Sequence, residues 1–197
     1  MLIHIPNLLT LFRVALIPVL VVMYFWPSAY REVIITATFV LAALTDWLDG
    51  FIARRMNAAT ALGAFLDPVA DKLIVSSALV LLVSDRMVLD TVLHPMPFAV
   101  AVAIIIGREI VVSALREWMA ELGERGVVAV AQLGKYKTIF QMVSISVLLY
   151  GKAIYGIPIF LIGEVLLYVT ALLTLWSMVE YLRAALPYLR EEDWLGG

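Results

Sequence analysis

The chain has 197 residues, of which 63% are hydrophobic and only 15% are charged, with a formal net charge of -2. Soluble domains are about half apolar, so this composition excludes an ordinary soluble enzyme and predicts an all-α integral membrane protein. The chain contains no cysteine, which excludes a disulfide framework, thiolate metal ligands and a catalytic thiol.

Apolar runs separated by breakers predict six transmembrane helices that form one catalytic domain over residues 1–197. A spanning helix takes roughly 20 apolar residues, so six spans leave only short loops. The first residues lack the basic start of a removable signal peptide, so the first span is expected to stay in the mature protein. Pro187 is expected to end the last helix. In chain order the predicted helices cover residues 8–26, 32–55, 60–83, 94–119, 137–150 and 159–183.

Lysine and arginine residues are distributed unequally between the two predicted sides of the membrane. Eight fall on the side that holds both termini, against three on the other side. Because cytoplasmic loops are enriched in these residues, we expect both termini to face the cytoplasm. The eight are Arg54, Arg55, Arg116, Arg125, Lys135, Lys137, Arg183 and Arg190.

Four aspartates lie within 26 residues, where the second predicted helix ends and the third begins. Asp46 and Asp49 are three residues apart and Asp67 and Asp71 are four apart, so each pair shares one helical face. Antiparallel neighbouring helices would bring the carboxylates together, and like charges at short range need cations. Hard oxygen ligands favour Mg²⁺ or Mn²⁺, and the absence of His and Cys from this stretch argues against zinc. We therefore predict a site for two divalent cations.

The residues between the two aspartate pairs suit a phosphate ester. Arg54 offers a planar, permanently charged fork that matches phosphate oxygens. Gly50, Ala53 and Gly63 have little or no side chain, so a bulky ligand can approach the helix backbone closely. Pro68 is expected to kink the third helix, or to start its regular part, beside the site. The competing interpretation, helix caps and ion-pair partners, fits four aspartates at this spacing less well than it fits one.

The pattern from residue 46 to residue 71, D-x-x-D-G-x-x-A-R-x8-G-x-x-x-D-x-x-x-D, resembles the signature of the CDP-alcohol phosphotransferase family at every motif position. Further segments resemble bacterial members that use sn-glycerol 3-phosphate as acceptor, namely PNLLTLFR at 6–13, GAFLDPVADK at 63–72 and the stretch from RE at 108 to SALREW at 113–118. The resemblance implies six transmembrane helices, usually in a homodimer. The implied reaction transfers a phosphatidyl group from CDP-diacylglycerol to sn-glycerol 3-phosphate and releases CMP.

The resemblance also implies roles for the signature residues. Asp46, Asp49 and Asp67 would be core metal ligands, while Asp71 would ligate one metal and act as general base on the attacking hydroxyl. A carboxylate beside two cations is ionised at neutral pH and available to accept a proton, which suits that role. Arg54 would bind the diphosphate. Gly50, Ala53 and Gly63 would make room for the cytidine nucleotide. Asn7, Thr10 and Arg13 are further candidates for lining that pocket, or they simply begin the first helix.

Cationic residues further along the chain are candidates for binding the phosphate of the acceptor. Arg108 lies inside an apolar span, and an intramembrane arginine by default indicates a functional site. The competing interpretation makes Arg108 a partner of Glu109 and the lysines positive-inside anchors. The candidate set is Arg108, Arg116, Lys135 and Lys137.

Three alternatives stay open on the sequence alone. The acceptor would be inositol phosphate, serine or another alcohol in a different member of the family. A membrane prenyltransferase also uses aspartate pairs with Mg²⁺, but its pairs would lie far apart in the chain. A cation transporter would place its carboxylates near the middle of the bilayer. We expect a multi-pass protein of the bacterial inner membrane with its active site facing the cytoplasm, lipid as a partner and no nucleic acid.

Overall fold

The computed structural model describes residues 5–56, 61–123 and 132–191, with side chains described except at residues 5–7, 49–56, 61–65, 67, 132–136 and 189–191. Within these ranges the chain forms seven α-helices, as the all-α prediction requires. They are α1 Ile5–Phe25, α2 Arg31–Met56, α3 Ala61–Ser84, α4 Arg86–Thr91, α5 Pro95–Glu121, α6 Gln132–Tyr150 and α7 Ile159–Glu191.

Six of these helices correspond to the six predicted ones, and the short helix α4 was assigned to a loop. Asp85 caps α4, because its side chain accepts a hydrogen bond of 2.9 Å from the backbone N–H of Met87. The predicted start of the next helix is found where expected. His94 has an extended backbone and Pro95 is the first residue of α5, a position where a proline costs no hydrogen bond.

The expected end of the last helix was wrong. The last helix does not end at Pro187, because α7 continues to Glu191 with Pro187 inside it. A proline removes one backbone hydrogen bond, and Pro187 is exposed, so solvent can reach the carbonyl group that it leaves unpaired. For Pro68 the sequence analysis left two alternatives, a kink or the start of the regular helix, and the second does not hold, since α3 begins at Ala61 and includes that proline.

Three helices of the described chain are long and apolar enough to cross a membrane. These stretches are Leu8–Phe25, Pro95–Glu121 and Ile159–Tyr188. A shorter apolar stretch, Lys137–Tyr150, lies in α6. Large hydrophobic side chains stay exposed along the helices, such as Leu172 at 67% and Ile110 at 63%, which suits contact with lipid rather than water. The chain is therefore an integral membrane protein.

Among the described side chains, two apolar clusters hold the helices together. The larger one joins α1, α2, α3, α5, α6 and α7, and it includes Leu20, Phe39, Leu79, Ile105 and Leu167. A smaller one joins α5 to the C-terminal half of α7, through Val112, Met119, Tyr181 and Ala185. Helix α1 contacts both α2 and α3, the helices that carry the aspartates, and α5 contacts α3 and α7. Helix α6 also contacts α2 and α3, so the packing brings together charged side chains of α1, α2, α3, α5 and α6.

Candidate active site

A cavity of about 830 Å³ lies between α3, α5, α6 and α7. Its wall contains charged side chains of both signs, which is unusual inside a chain with so few charged residues. Buried charges need partners or a function, so this cavity is the strongest candidate for a binding site among the residues that the structure describes. The charged residues of the wall are Asp71, Lys72, Arg108, Glu109, Arg116, Glu117 and Lys137.

Two of the four aspartates can be placed relative to each other. Asp46 of α2 forms an ion pair with Arg13 of α1, with Nη1 and Oδ1 2.9 Å apart, and Arg13 is only 1% exposed. Asp71 of α3, in the cavity wall, lies close enough to both Asp46 and Arg13 for direct electrostatic interaction. Helices α1, α2 and α3 thus bring two carboxylates and one buried guanidinium into one cluster.

The other signature residues are placed by their backbone alone. The last part of α2 carries Asp49, Gly50, Ala53 and Arg54, and the first two turns of α3 carry Gly63 and Asp67. The backbone therefore puts them near the adjoining ends of the two helices, as predicted, while their side chains lie outside the described part. The same holds for Asn7 in α1 and Lys135 in α6. Thr10 is described, and it is buried in α1 three residues before Arg13.

The donor set fits a hard divalent cation. Asp46 and Asp71 offer only oxygen ligands, and the like charges of the pair favour a cation between or beside them. Among the described side chains no group of three or more potential ligands is found, and the side chains of Asp49 and Asp67 do not belong to that set. Among the described residues, the ion pair of Asp46 is with Arg13. The chemistry of these residues thus agrees with Mg²⁺ or Mn²⁺ rather than zinc.

A second group of charges, on α5 and α6, lines the same cavity. Arg108 is 8% exposed, and its Nη2 donates a hydrogen bond of 3.2 Å to the hydroxyl of Ser177 while Nη1 lies 3.3 Å from Glu109. Lys137 also donates to Glu109 and interacts electrostatically with Asp71. One carboxylate therefore holds two of the predicted acceptor-binding cations beside the last aspartate of the signature.

The Nε atom of Arg108 is buried and has no hydrogen-bond partner among the residues that the structure describes. An unpaired buried donor is costly, and such groups are rare in folded proteins. Because Arg108 lines the cavity, an oxygen of a bound anion is well suited to complete its hydrogen bonding.

The third predicted cation whose side chain can be placed, Arg116, contacts a residue that the sequence analysis did not identify. Its Nη2 donates a hydrogen bond of 2.9 Å to the hydroxyl of Tyr181, which also lines the cavity. Ser177 and Tyr181 are four residues apart in α7, so they share a face. A polar pair at this spacing in an apolar helix was the available signal.

Comparison with known proteins agrees with this site. The sequence model of the CDP-alcohol phosphatidyltransferase family matches residues 3–176, and the chain belongs to this family. It is 50% identical over 182 residues to the CDP-diacylglycerol--glycerol-3-phosphate 3-phosphatidyltransferase of Salmonella choleraesuis (strain SC-B67), with 92% of this chain and 94% of that protein covered. It is 48% identical, with the same coverage, to the proteins of that name from Shigella flexneri and from Escherichia coli (strain K12).

Proposed function

We propose that this protein transfers the phosphatidyl group of CDP-diacylglycerol to sn-glycerol 3-phosphate, giving phosphatidylglycerophosphate and CMP. The observation that carries the proposal is the shared cavity. Asp71, the last aspartate of the family signature, lines the same space as Arg108, Arg116 and Lys137. A site for a nucleotide-linked diphosphate thus adjoins a cationic wall for a second phosphate. The relative that is 50% identical to this chain is named for the enzyme that catalyses this reaction.

Asp46, Asp49, Asp67 and Asp71 would hold two divalent cations, Mg²⁺ or Mn²⁺. When bound, such cations neutralise the diphosphate and stabilise the charge that develops on the leaving CMP. Arg54 would contact the diphosphate through its planar guanidinium. Gly50, Ala53 and Gly63 would leave room for the nucleotide, with Asn7 and Thr10 beside it.

In the proposed reaction Asp71 acts as general base. Its carboxylate accepts the proton of the acceptor hydroxyl while the hydroxyl oxygen attacks the phosphorus of the phosphatidyl group. The bond between that phosphorus and the bridging oxygen breaks, and the electron pair leaves with CMP. Asp71 and Lys137 line the same cavity, which supports this role, because an acceptor whose phosphate is held by Lys137 has its hydroxyl groups in the space that Asp71 lines.

The cationic wall favours a phosphorylated acceptor over the alternatives. Arg108, Arg116 and Lys137, together with Lys135, would bind the phosphate of sn-glycerol 3-phosphate. A neutral or zwitterionic alcohol such as serine would not balance these cations. Neither would the apolar acceptor of a prenyltransferase. Inositol phosphate shares the required charge, and the names of the relatives favour glycerol phosphate over it.

We further propose that α1, α2, α3, α5, α6 and α7 are the six transmembrane helices, with the active site facing the cytoplasm of a bacterial cell and two copies forming a homodimer. The unequal placement of lysine and arginine supports the orientation. The charged head group of a lipid substrate lies at the membrane surface, where it can meet a soluble anionic acceptor. The family resemblance supports the dimer.

The test is a release assay for CMP with purified protein in detergent. CDP-diacylglycerol is offered with sn-glycerol 3-phosphate, inositol phosphate, serine or glycerol, in the presence of Mg²⁺, Mn²⁺ or a chelator. We expect CMP only with sn-glycerol 3-phosphate and a divalent cation. Equal release with serine, or release that is unaffected by the chelator, would contradict the proposal.

A further inference from the structure

Tyr181 contacts both arginines of the cavity wall. The guanidinium carbon of Arg108 lies 5.6 Å from the centroid of the Tyr181 ring, and that of Arg116 lies 5.2 Å from it. The hydroxyl of the same tyrosine accepts the 2.9 Å hydrogen bond from Arg116. One side chain of α7 therefore touches two cations of α5.

The position of the ring is set by packing and does not depend on a ligand. Tyr181 is 7% exposed and belongs to the small apolar cluster that joins α5 to α7, with Val112, Met119 and Ala185 as its other buried members. On α5, Val112 lies four residues from each arginine, so all three share one helical face. That face packs against the face of α7 that carries Tyr181.

The ring offsets an electrostatic difficulty in the cavity. Two guanidiniums on one helical face repel each other. When no anion is bound, the phosphate that would attract both of them is absent. The face of an aromatic ring attracts a cation that lies within about 6 Å of its centroid. Both arginines satisfy that distance. The hydrogen bond to the phenolic oxygen also fixes the orientation of the Arg116 guanidinium, because a hydrogen bond is directional and a cation–ring contact is much less so.

We propose that Tyr181 is a positioning residue that holds Arg108 and Arg116 in the arrangement that binds the acceptor phosphate. Asp71 lines the same cavity, so fixing the two guanidiniums also fixes the acceptor hydroxyl relative to that carboxylate. The inference rests on the proposed function. It goes beyond the family match, which ends at residue 176 and gives Tyr181 no role.

The test compares Michaelis constants in Tyr181→Phe, which keeps the ring and removes the hydroxyl. We expect the KM for sn-glycerol 3-phosphate to rise on the order of tenfold, the loss typical of one hydrogen bond to a charged group. The KM for CDP-diacylglycerol should stay within about twofold, because the variant leaves the aspartate side of the cavity unchanged. Inorganic phosphate should inhibit the variant more weakly by the same factor as the rise in KM. Tyr181→Leu, which also removes the ring, should raise the acceptor KM further.

Tyr168→Phe is the matched control. It removes the hydroxyl of another tyrosine on α7, which donates 2.7 Å to Glu164 and lies outside the cavity wall, so both KM values should match the wild type. A double variant with Arg116→Lys should show non-additive effects on the acceptor KM.

If the wild type uses sn-glycerol 3-phosphate and Tyr181→Phe leaves the acceptor KM unchanged, the inference alone is overturned and the proposed function stands. Equal rises in both KM values would show a general structural role and would overturn it too. Failure of the wild type to release CMP with this acceptor would contradict the proposed function, and the inference with it.

Discussion

Arg13 and Asp46 form an ion pair that links α1 to the first aspartate of the family signature, with Nη1 and Oδ1 2.9 Å apart. The guanidinium is buried and the carboxylate is 45% exposed, so the two groups differ in their access to solvent. The same guanidinium interacts with Asp71. Arg13 thus supplies positive charge to the cluster in which we propose divalent cations to bind.

Arg13→Met should destabilise the protein most when divalent cations are absent. Removing one member of a buried ion pair leaves a carboxylate uncompensated, and for a half-exposed partner the cost is about 1–3 kcal/mol. Mg²⁺ or Mn²⁺ should recover part of this loss by supplying charge to the same carboxylates. The measurement is thermal unfolding in detergent with chelator and with added cation. Arg86→Met, at an exposed residue of α4, is the control; equal melting temperatures for the two variants under both conditions would contradict the role of Arg13.

Asp71→Asn should leave a folded protein with little transfer activity. The amide cannot accept the hydroxyl proton, and general-base catalysis typically contributes about 10²–10⁴-fold to the rate. The rate of CMP release and the melting temperature are measured together. Asp90→Asn on α4, an exposed residue, should keep full activity. Near-normal turnover in Asp71→Asn would remove the general-base assignment.

Gly163 should not tolerate a side chain, because α6 and α7 approach each other closely there. A Cβ at Gly163 would lie 2.9 Å from Cγ1 of Val147 and 3.1 Å from Cγ of Leu148. The hydroxyl of Ser144 also donates a hydrogen bond of 2.8 Å to the carbonyl group of Gly163. Gly163→Ala should therefore lower the free energy of unfolding by about 1–3 kcal/mol through overpacking.

Gly107→Ala is the matched control for this prediction, since a Cβ built there has no described atom within 4 Å other than those of its own chain neighbours and helix backbone. It should be neutral or should stabilise α5 by up to about 1 kcal/mol through helix propensity. The measurement is the thermal unfolding of both variants, compared with that of the wild type. If Gly163→Ala were as stable as Gly107→Ala, the close contact between α6 and α7 would be refuted.

Asp85 should stabilise the far end of the helix bundle in a pH-dependent way. Burial by itself raises the pKa of Asp85, but hydrogen bonds from Tyr24, the Met87 backbone N–H and Arg31 outweigh it and hold the pKa below the ordinary aspartate value. A carboxylate with a lowered folded-state pKa contributes stability above its unfolded pKa of about 3.9 and loses it as the pH falls through the folded value.

The measurement compares the melting temperatures of wild type and Asp85→Asn between pH 7 and pH 3. The difference should be constant from pH 7 to about pH 5 and should shrink below about pH 4. If the difference in melting temperature between wild type and Asp85→Asn grew as the pH fell, the lowered pKa of Asp85 would be contradicted.

The family could be predicted from the sequence because the signature from residue 46 to residue 71 is long and specific, and the match over residues 3–176 confirms it. Carboxylates three and four residues apart in apolar helices predict a shared face, and the structure places the side chains of Asp46 and Asp71 among them. The boundaries of five of the six predicted helices agree with the structure to within about five residues at each end, because apolar runs and prolines mark them.

Other features depend on tertiary contacts that no local pattern shows. The six-residue helix α4 is too short for a periodic signal, and its cap, Asp85, is held by Tyr24 and Arg31 from other helices. The spacing of Ser177 and Tyr181 marks a polar face of α7 in the sequence, but it does not show which residues that face contacts. Only the packing of α5 on α7 puts Tyr181 beside Arg108 and Arg116.

The most direct test of the proposed reaction follows an oxygen atom. The purified protein is incubated with CDP-diacylglycerol, Mg²⁺ and sn-glycerol 3-phosphate that carries ¹⁸O in its hydroxyl groups. Mass spectrometry then locates the ¹⁸O in the products. Attack by an acceptor hydroxyl on the phosphatidyl phosphorus predicts ¹⁸O in the new phosphodiester linkage and none in CMP. Label in CMP, or a lipid product without it in that linkage, would contradict the account.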